Sequence, residues 1–248
     1  MLKIQNLTKV YKGGKVAVDN LSLTVEKGDI FAFIGHNGAG KSTTIKSCVG
    51  LLDFTDGDVL IDGVSISKDP LYCKSVIAYI PDNPDIYEYM TGIGYLNFIA
   101  DVFKVDKTER LELIDKYATS FEIKQNLGDL IGSYSHGMKQ KIVIIAALLH
   151  KPKLMIMDEP FVGLDPKASF ILKSMMTEMC KEGMAIFFST HVLEVAEKLC
   201  NKVAIIKDGK LIVSGNTDEI VKDKSLENVF MDSADYNGQV EAKGGNNE

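Results

Sequence analysis

Cysteine is scarce and unpatterned in this chain. Cys48, Cys73, Cys180 and Cys200 show no C-x-x-C spacing, so the sequence points to neither a zinc site nor a disulfide framework, and a reducing cytosol fits. Long hydrophobic runs are also missing. Stretches such as Ile142 to Leu149 fall far short of the about 20 residues that cross a bilayer. No signal-peptide pattern opens the chain, so a membrane role is expected to come through a partner. Positive charge is not in surplus: the net charge of −6 argues against a nucleic-acid surface, which would show a basic face. No internal repeat is visible. What remains is an ordinary globular composition, 248 residues at 46% hydrophobic, enough for one full core with room for a subdomain.

The most informative stretch is Gly35-His36-Asn37-Gly38-Ala39-Gly40-Lys41-Ser42-Thr43, which fits G-x-x-x-x-G-K-[ST] between an apolar run, Ile30 to Ile34, and a helix predicted from Thr43. Its glycines permit positive φ and close backbone approach, so successive N–H groups can converge on phosphate oxygens at a helix N-terminus. Lys41 can reach β- and γ-phosphates as a point charge, and the Ser42 hydroxyl can ligate Mg²⁺. The loop therefore predicts nucleoside triphosphate binding. Arg110 is the one arginine among the 28 basic residues and the only candidate arginine finger. It stands among lysines and glutamates in a helical stretch and is expected on a solvated face, which leaves phosphate charge to Lys41, Mg²⁺ and backbone dipoles.

Taken in order, Leu2 to Thr8 and Leu21 to Val25 alternate apolar and polar around a Lys12-Gly13-Gly14-Lys15 turn, which predicts an antiparallel β layer. Tyr11, at the end of the first strand, could stack on a planar base. Gly50 is expected to end the helix after the loop. Val59 to Ile61 and Val76 to Ile80 read as strands around Asp62-Gly63, and the second runs into a hinge bracketed by Pro81 and Pro84. From Thr91 to about Leu127 the period becomes helical, with Ile93, Leu96, Ile99, Val102 and Phe103 on one face, then Leu111, Leu113, Ile114 and Tyr117. Ser135 stands in an N-cap position before a long apolar helix to Leu149, and that helix start is expected to face an anion. Leu154 to Met157 reads as a buried strand ending in Asp158-Glu159, where α/β folds place ligands. A helix from Pro166 to about Lys181 follows, then strand Ala185 to Phe188, with Ser189-Thr190-His191 opening another helix. Val203 to Ile206 and Leu211 to Ser214 form a hairpin around Asp208-Gly209, and a disordered tail is expected beyond about Asp232.

Over about residues 2 to 225 these ordered motifs resemble the ATP-binding subunits of ABC transporters. Tyr11 matches the aromatic A-loop, residues 35 to 43 Walker A, and Tyr134-Ser135-His136-Gly137-Met138-Lys139-Gln140 the signature segment. Leu154 to Asp158 matches Walker B, with Glu159 following it, Gly163-Leu164-Asp165 the D-loop and His191 the switch histidine. The resemblance implies an α/β P-loop NTPase (RecA-like) core with an antiparallel β subdomain and an inserted α-helical subdomain. In that layout residues 1–225 form the ATPase domain, with core 1–81 and 151–225 and insert about 82–150, and 226–248 a partly disordered tail. It implies that Asp158 holds Mg²⁺, Glu159 acts as general base, and His191 bonds the γ-phosphate. Two subunits would sandwich ATP head to tail: Ser135 and the Gly137 N–H would cap the partner's γ-phosphate, and Asp165 would contact the partner. A complete motif set makes a homodimer with two sites the simplest assembly.

Two positions depart from the family pattern. Asp82 stands at the Q-loop position in place of glutamine, near both metal and catalysis, where a carboxylate could tighten Mg²⁺ or add negative charge beside the γ-phosphate. His136 replaces the first signature glycine and adds a titratable ring beside the partner's nucleotide. Tyr79 to Pro84 together with Tyr134 to Lys141 look like the ATPases of bacterial ABC-2-type exporters. That look implies a peripheral subunit on the cytoplasmic face of the membrane whose separate multi-span permease docks near Asp82 to Phe103, with Ile86, Tyr87, Tyr89 and Met90 as candidate socket residues. The alternative is a soluble ABC ATPase driving cytosolic assembly, as in iron–sulfur cluster biogenesis.

Overall fold

The structure is a computed structural model that describes residues 1–222 and 224–235. In chain order it contains β1 (Leu2–Val10), β2 (Val16–Val25), β3 (Ile30–Ile34), α1 (Lys41–Cys48), β4 (Asp56–Ile61), β5 (Val64–Ser65), α2 (Pro70–Val76) and β6 (Ile77–Ile80). The helices α3 (Gly92–Val102), α4 (Lys107–Ser120) and α5 (His136–Leu148) follow. The chain then forms β7 (Leu154–Asp158), α6 (Pro166–Lys181), β8 (Ala185–Thr190), α7 (Leu193–Leu199), β9 (Lys202–Lys207), β10 (Lys210–Asn216), α8 (Thr217–Val221) and α9 (Leu226–Asp235).

Two sheets carry the architecture. One is antiparallel, in the order β2-β1-β4-β5, and the other runs β10-β9-β3-β8-β7-β6 with all neighbours parallel except β10. Strands buried on both faces read as continuous apolar runs, and their side chains alternate between two cores. Ile30, Ala32 and Ile34 of β3, Met155 and Met157 of β7, and Ile186 and Phe188 of β8 join one core with α3, α4, α5 and α6. Phe31, Phe33, Leu154, Ile156 and Phe187 join the other with the antiparallel sheet and with Ile45 and Cys48 of α1. The second core is tied together by Phe187, whose ring centroid lies 5.8 Å from that of Phe31 and 5.5 Å from that of Phe33. The four cysteines are buried and free. No helix among the described residues is long and apolar enough to cross a membrane.

Several expectations change. The first helix starts at Lys41, two residues before Thr43, because Gly40 at φ 109° supplies the left-handed cap. Val76 belongs to α2, which the sequence reading lacked: Asp69 caps it through the Tyr72 N–H, Pro70 opens it, and the strand begins at Ile77. Ser189 and Thr190 are the end of β8, since Ser189 pairs with Asp158 and Thr190 with Ile34, and the next helix starts at Leu193. Val102 and Leu111 are exposed, so the apolar stripe of the insert is narrower than its periodicity suggested. Arg110 is not on a solvated face. Its guanidinium binds Asp101 Oδ1 at 2.5 Å, Asn97 Oδ1 and the Val105 carbonyl, fastening α4 to the end of α3. The expected tail from 226 begins as helix α9, with Leu226 fully buried and its N–H donating to Glu197 of α7. The rest of that tail, 236–248, lies outside the described residues.

Candidate nucleotide site

Parallel strands bring their C-terminal ends to one edge, so the order β3-β8-β7-β6 sets side by side residues that are far apart in sequence. The phosphate loop follows β3, His191 follows β8, Asp158 ends β7 with Glu159 next after it, and Asp82 follows β6. A cleft of about 520 Å³ opens there, lined by Tyr11, His36, Asn37, Gly38, Gly40, Lys41, Ser42, Thr43, Asp82 and Glu159. Lys15, Val16, Ala17, Asp208 and Gly209 complete it and were not read from the sequence.

The loop is held from behind. A methyl group at Gly40 would stand 2.5 Å from the Ala17 carbonyl oxygen, while one at Gly38, at φ 85°, would meet no atom within 4 Å. The Gly209 N–H donates to the Ala39 carbonyl at 2.9 Å, so the β9–β10 turn props the loop, and Ala39 is fully buried. Asn37 closes the loop's outer rim, where its carbonyl meets His36 Nδ1 at 2.8 Å, and His36 Nε2 lies 3.7 Å from Asp208. Lys41 is almost fully buried. Its ammonium donates to the Gly35 carbonyl at 2.7 Å and stands 3.5 Å from Glu159 Oε1. The Tyr11 hydroxyl lies 3.3 Å from Thr43 Oγ1, and the Lys9 ammonium sits 5.4 Å from its ring centroid.

The carboxylates are fixed by one serine. Ser189 Oγ donates to Asp158 Oδ1 at 2.5 Å and accepts from the Glu159 N–H at 3.0 Å. The sequence reading took Ser189 as part of a helix opening and missed this role. Only its parity in β8, opposite Asp158, could have shown it. Glu159 adopts φ 48°, a left-handed backbone unusual outside glycine, and its Oε2 meets His191 Nδ1 at 3.0 Å. Asp158 Oδ2 is buried with no protein partner. A buried carboxylate oxygen left without a donor suits a cation, and with the Ser42 hydroxyl at the cleft it forms part of the oxygen set that Mg²⁺ takes alongside phosphates.

Ser135, Gly137 and Asp165 do not line this cleft; they gather around the start of α5. Ser135 caps the helix by accepting from the Met138 N–H at 3.3 Å. Asp165 caps α6 through the Ala168 N–H and pairs with Lys141 of α5 at 2.9 Å; Lys141 and that cap hold its carboxyl below the usual carboxylate range. A second, mostly apolar cavity of about 280 Å³ lies between α3, α5 and β6, lined by residues including Tyr79, Tyr95, Ile99, Phe103, Val143 and His150. Burial raises the Tyr79 hydroxyl and pushes Tyr95 up to about 12. Of the candidate socket residues, Ile86 and Met90 are partly buried against the core, and Tyr87 and Tyr89 form an exposed aromatic cluster with Phe98.

Comparison with known proteins agrees with this geometry. The sequence model of the ABC transporter family matches residues 18–162. The ABC-type transporter ATP-binding protein EcsA of Bacillus subtilis is 34% identical over 94% of this chain and 96% of its own length. The bacitracin transport ATP-binding protein BcrA of Bacillus licheniformis is 36% identical over 86% of this chain and 68% of its own length. A solved ATP-binding subunit of an ABC transporter superposes with a TM-score of 0.90 at 32% identity, covering 94% of this chain and 99% of that one. The chain belongs to the ABC transporter family as an ATP-binding, ATP-hydrolysing subunit with the P-loop NTPase fold.

Proposed function

We propose that this chain is the motor of a bacterial ABC exporter. It would act at the cytoplasmic face of the membrane, where two copies close head to tail over ATP and drive a separate multi-span permease. The observation that carries the reading is the convergence of Lys41, Asp158, Glu159 and His191 at one sheet edge, while Ser135, Gly137 and Asp165 stand together away from it. A chain whose phosphate cradle and signature helix start occupy different places calls for a second copy to bring them together.

Within one site, Tyr11 would stack on the base, and the loop N–H groups with Lys41 would hold the β- and γ-phosphates. Glu159 would accept a proton from the attacking water, held by His191 at one oxygen and Lys41 near the other. Mg²⁺, bound through Ser42, Asp158 and, in this reading, Asp82, would supply charge neutralisation on the phosphates. Asp82 is exposed at the cleft wall, so its carboxylate is available to the ligand. Loss of the γ-phosphate removes the bonds that Ser135 and the Gly137 N–H make to it, and the dimer opens.

The apolar cavity beside α3 and α5, with the aromatic cluster at Tyr87, Tyr89 and Phe98 next to it, supports docking of an apolar permease segment. The exporter assignment is supported by likeness to a bacitracin transport subunit. The test is a tagged pull-down from detergent-solubilised membranes of the native cell, with mass spectrometry of stoichiometric partners. A polytopic membrane protein is expected. A soluble partner alone would overturn the exporter reading in favour of an assembly ATPase.

A further inference from the structure

The start of α5 and the loop after β7 are fastened to each other inside one chain. A methyl group at Gly163 would stand 2.2 Å from Cδ2 and 2.7 Å from Nε2 of His136, so the imidazole rests directly on the glycine. A methyl group at Gly137 would stand 2.7 Å from the Gly163 carbonyl oxygen, and Lys141 pairs with Asp165 at 2.9 Å. Positions 136, 137, 140 and 141 share one face of the helix, and all of these contacts lie on it. The His136 ring makes no hydrogen bond among the described residues, so the contact is one of packing. Gly163 itself sits at φ 81°. With glycine at 136 there would be no side chain to reach Gly163, which would keep its backbone contact with Gly137, while the loop's flanks stay held by Phe161 packed on Phe188 and by Leu164.

We propose that His136 is a positioning residue: its ring tethers the middle of the 160–164 loop to the signature helix of the same chain. Ser135, Gly137 and Asp165 then meet the second copy as one rigid body. This rests on the sandwich reading above. The tether also reaches the reaction centre, because the loop is a run of tight turns from Glu159. The Val162 N–H donates to the Glu159 carbonyl at 3.1 Å and the Leu164 N–H to the Phe161 carbonyl at 3.4 Å. Holding Gly163 thereby adds a restraint on Glu159, whose left-handed backbone is otherwise held by its N–H bond to Ser189 and whose carboxylate meets His191 and Lys41.

The two loop amides are the reporters. Hydrogen exchange of the nucleotide-free chain is compared for the wild type, His136→Gly and His136→Phe, with thermal melts to confirm that each folds. His136→Gly is expected to speed exchange at Val162 and Leu164 by about tenfold while the phosphate loop is unchanged, and His136→Phe, which keeps a flat ring, to retain protection. In ATP turnover, His136→Gly is expected to lower kcat with KM for ATP within about twofold, because the cradle is untouched. Unchanged exchange in His136→Gly would overturn the tether, and a His136→Phe variant as loose as His136→Gly would overturn its packing origin. Because exchange is read in the absence of nucleotide, its outcome is independent of whether ATP closes a dimer.

Discussion

His191 and Glu159 stand 32 residues apart in the sequence, yet His191 Nδ1 lies 3.0 Å from Glu159 Oε2. The second oxygen of the same carboxylate faces Lys41 at 3.5 Å, so one buried-edge carboxylate is shared between the histidine and the phosphate-loop lysine. Under the proposed mechanism, that arrangement would make Glu159 the group through which phosphate occupancy and proton transfer are linked.

Under the proposed role, Glu159→Gln keeps the side-chain shape and removes the base. Steady-state ATP turnover is expected to fall by about 10²–10⁴-fold, the range for a lost general base. Size-exclusion chromatography with saturating ATP and Mg²⁺ should then show a dimer. A variant that stays monomeric alone and with the permease present would sink the sandwich.

Lys41→Ala removes the charge that the proposed mechanism sets against the phosphates and also the bond that fastens the lysine to the Gly35 carbonyl. Equilibrium titration with a fluorescent ATP analogue should show tight binding abolished, with a Kd at least about tenfold weaker. Retained affinity would mean that loop N–H groups suffice.

His150 gives the chain a pH signature away from the nucleotide. Its ring stacks on Phe103 at 3.8 Å, Nε2 donates to the Ile77 carbonyl at 3.0 Å, and burial holds the imidazole below the usual histidine range. Lys74, Tyr79 and Tyr95 share the cavity wall. Below about pH 6.5 the unfolded chain binds this proton and the folded chain resists it. The stability it contributes is therefore full above that pH and is lost as pH falls through the folded value. In His150→Phe the decline of Tm between pH 7 and 5 should be shallower than in the wild type. Parallel declines would assign the acid sensitivity to other groups.

Gln140 is fully buried in α5, with neither amide atom partnered by protein. An unpaired buried polar group costs about 1–3 kcal/mol, so Gln140→Met, of similar volume, should leave Tm unchanged or raise it. A clear drop on calorimetry would show that the amide is satisfied in solution.

Much of the site was legible because its chemistry is written locally. Glycine spacing marks the phosphate loop, and Pro166 in the first position of α6, behind the Asp165 cap, marks where that helix starts, on the expected residue. Helix α2 escaped because seven residues carry too little periodicity, although Asp69 and Pro70 were its usable signal. Ser189 escaped because polar residues in a strand are explained only by their partners across the ladder, here Asp158. Which of Ile86, Tyr87, Tyr89 and Met90 pack inward was not legible for the same reason: their cover comes from distant helices.

By itself the sequence determined the phosphate loop and the family, since glycine spacing and motif order depend on residue type at short range. Only the tertiary structure decided that β8 lies between β3 and β7, so that His191, Glu159 and Lys41 meet, and that His136 rests on Gly163. Strand order and helix-to-loop contacts are long-range pairings, fixed by which buried faces match when the whole core closes, and no local spacing encodes them.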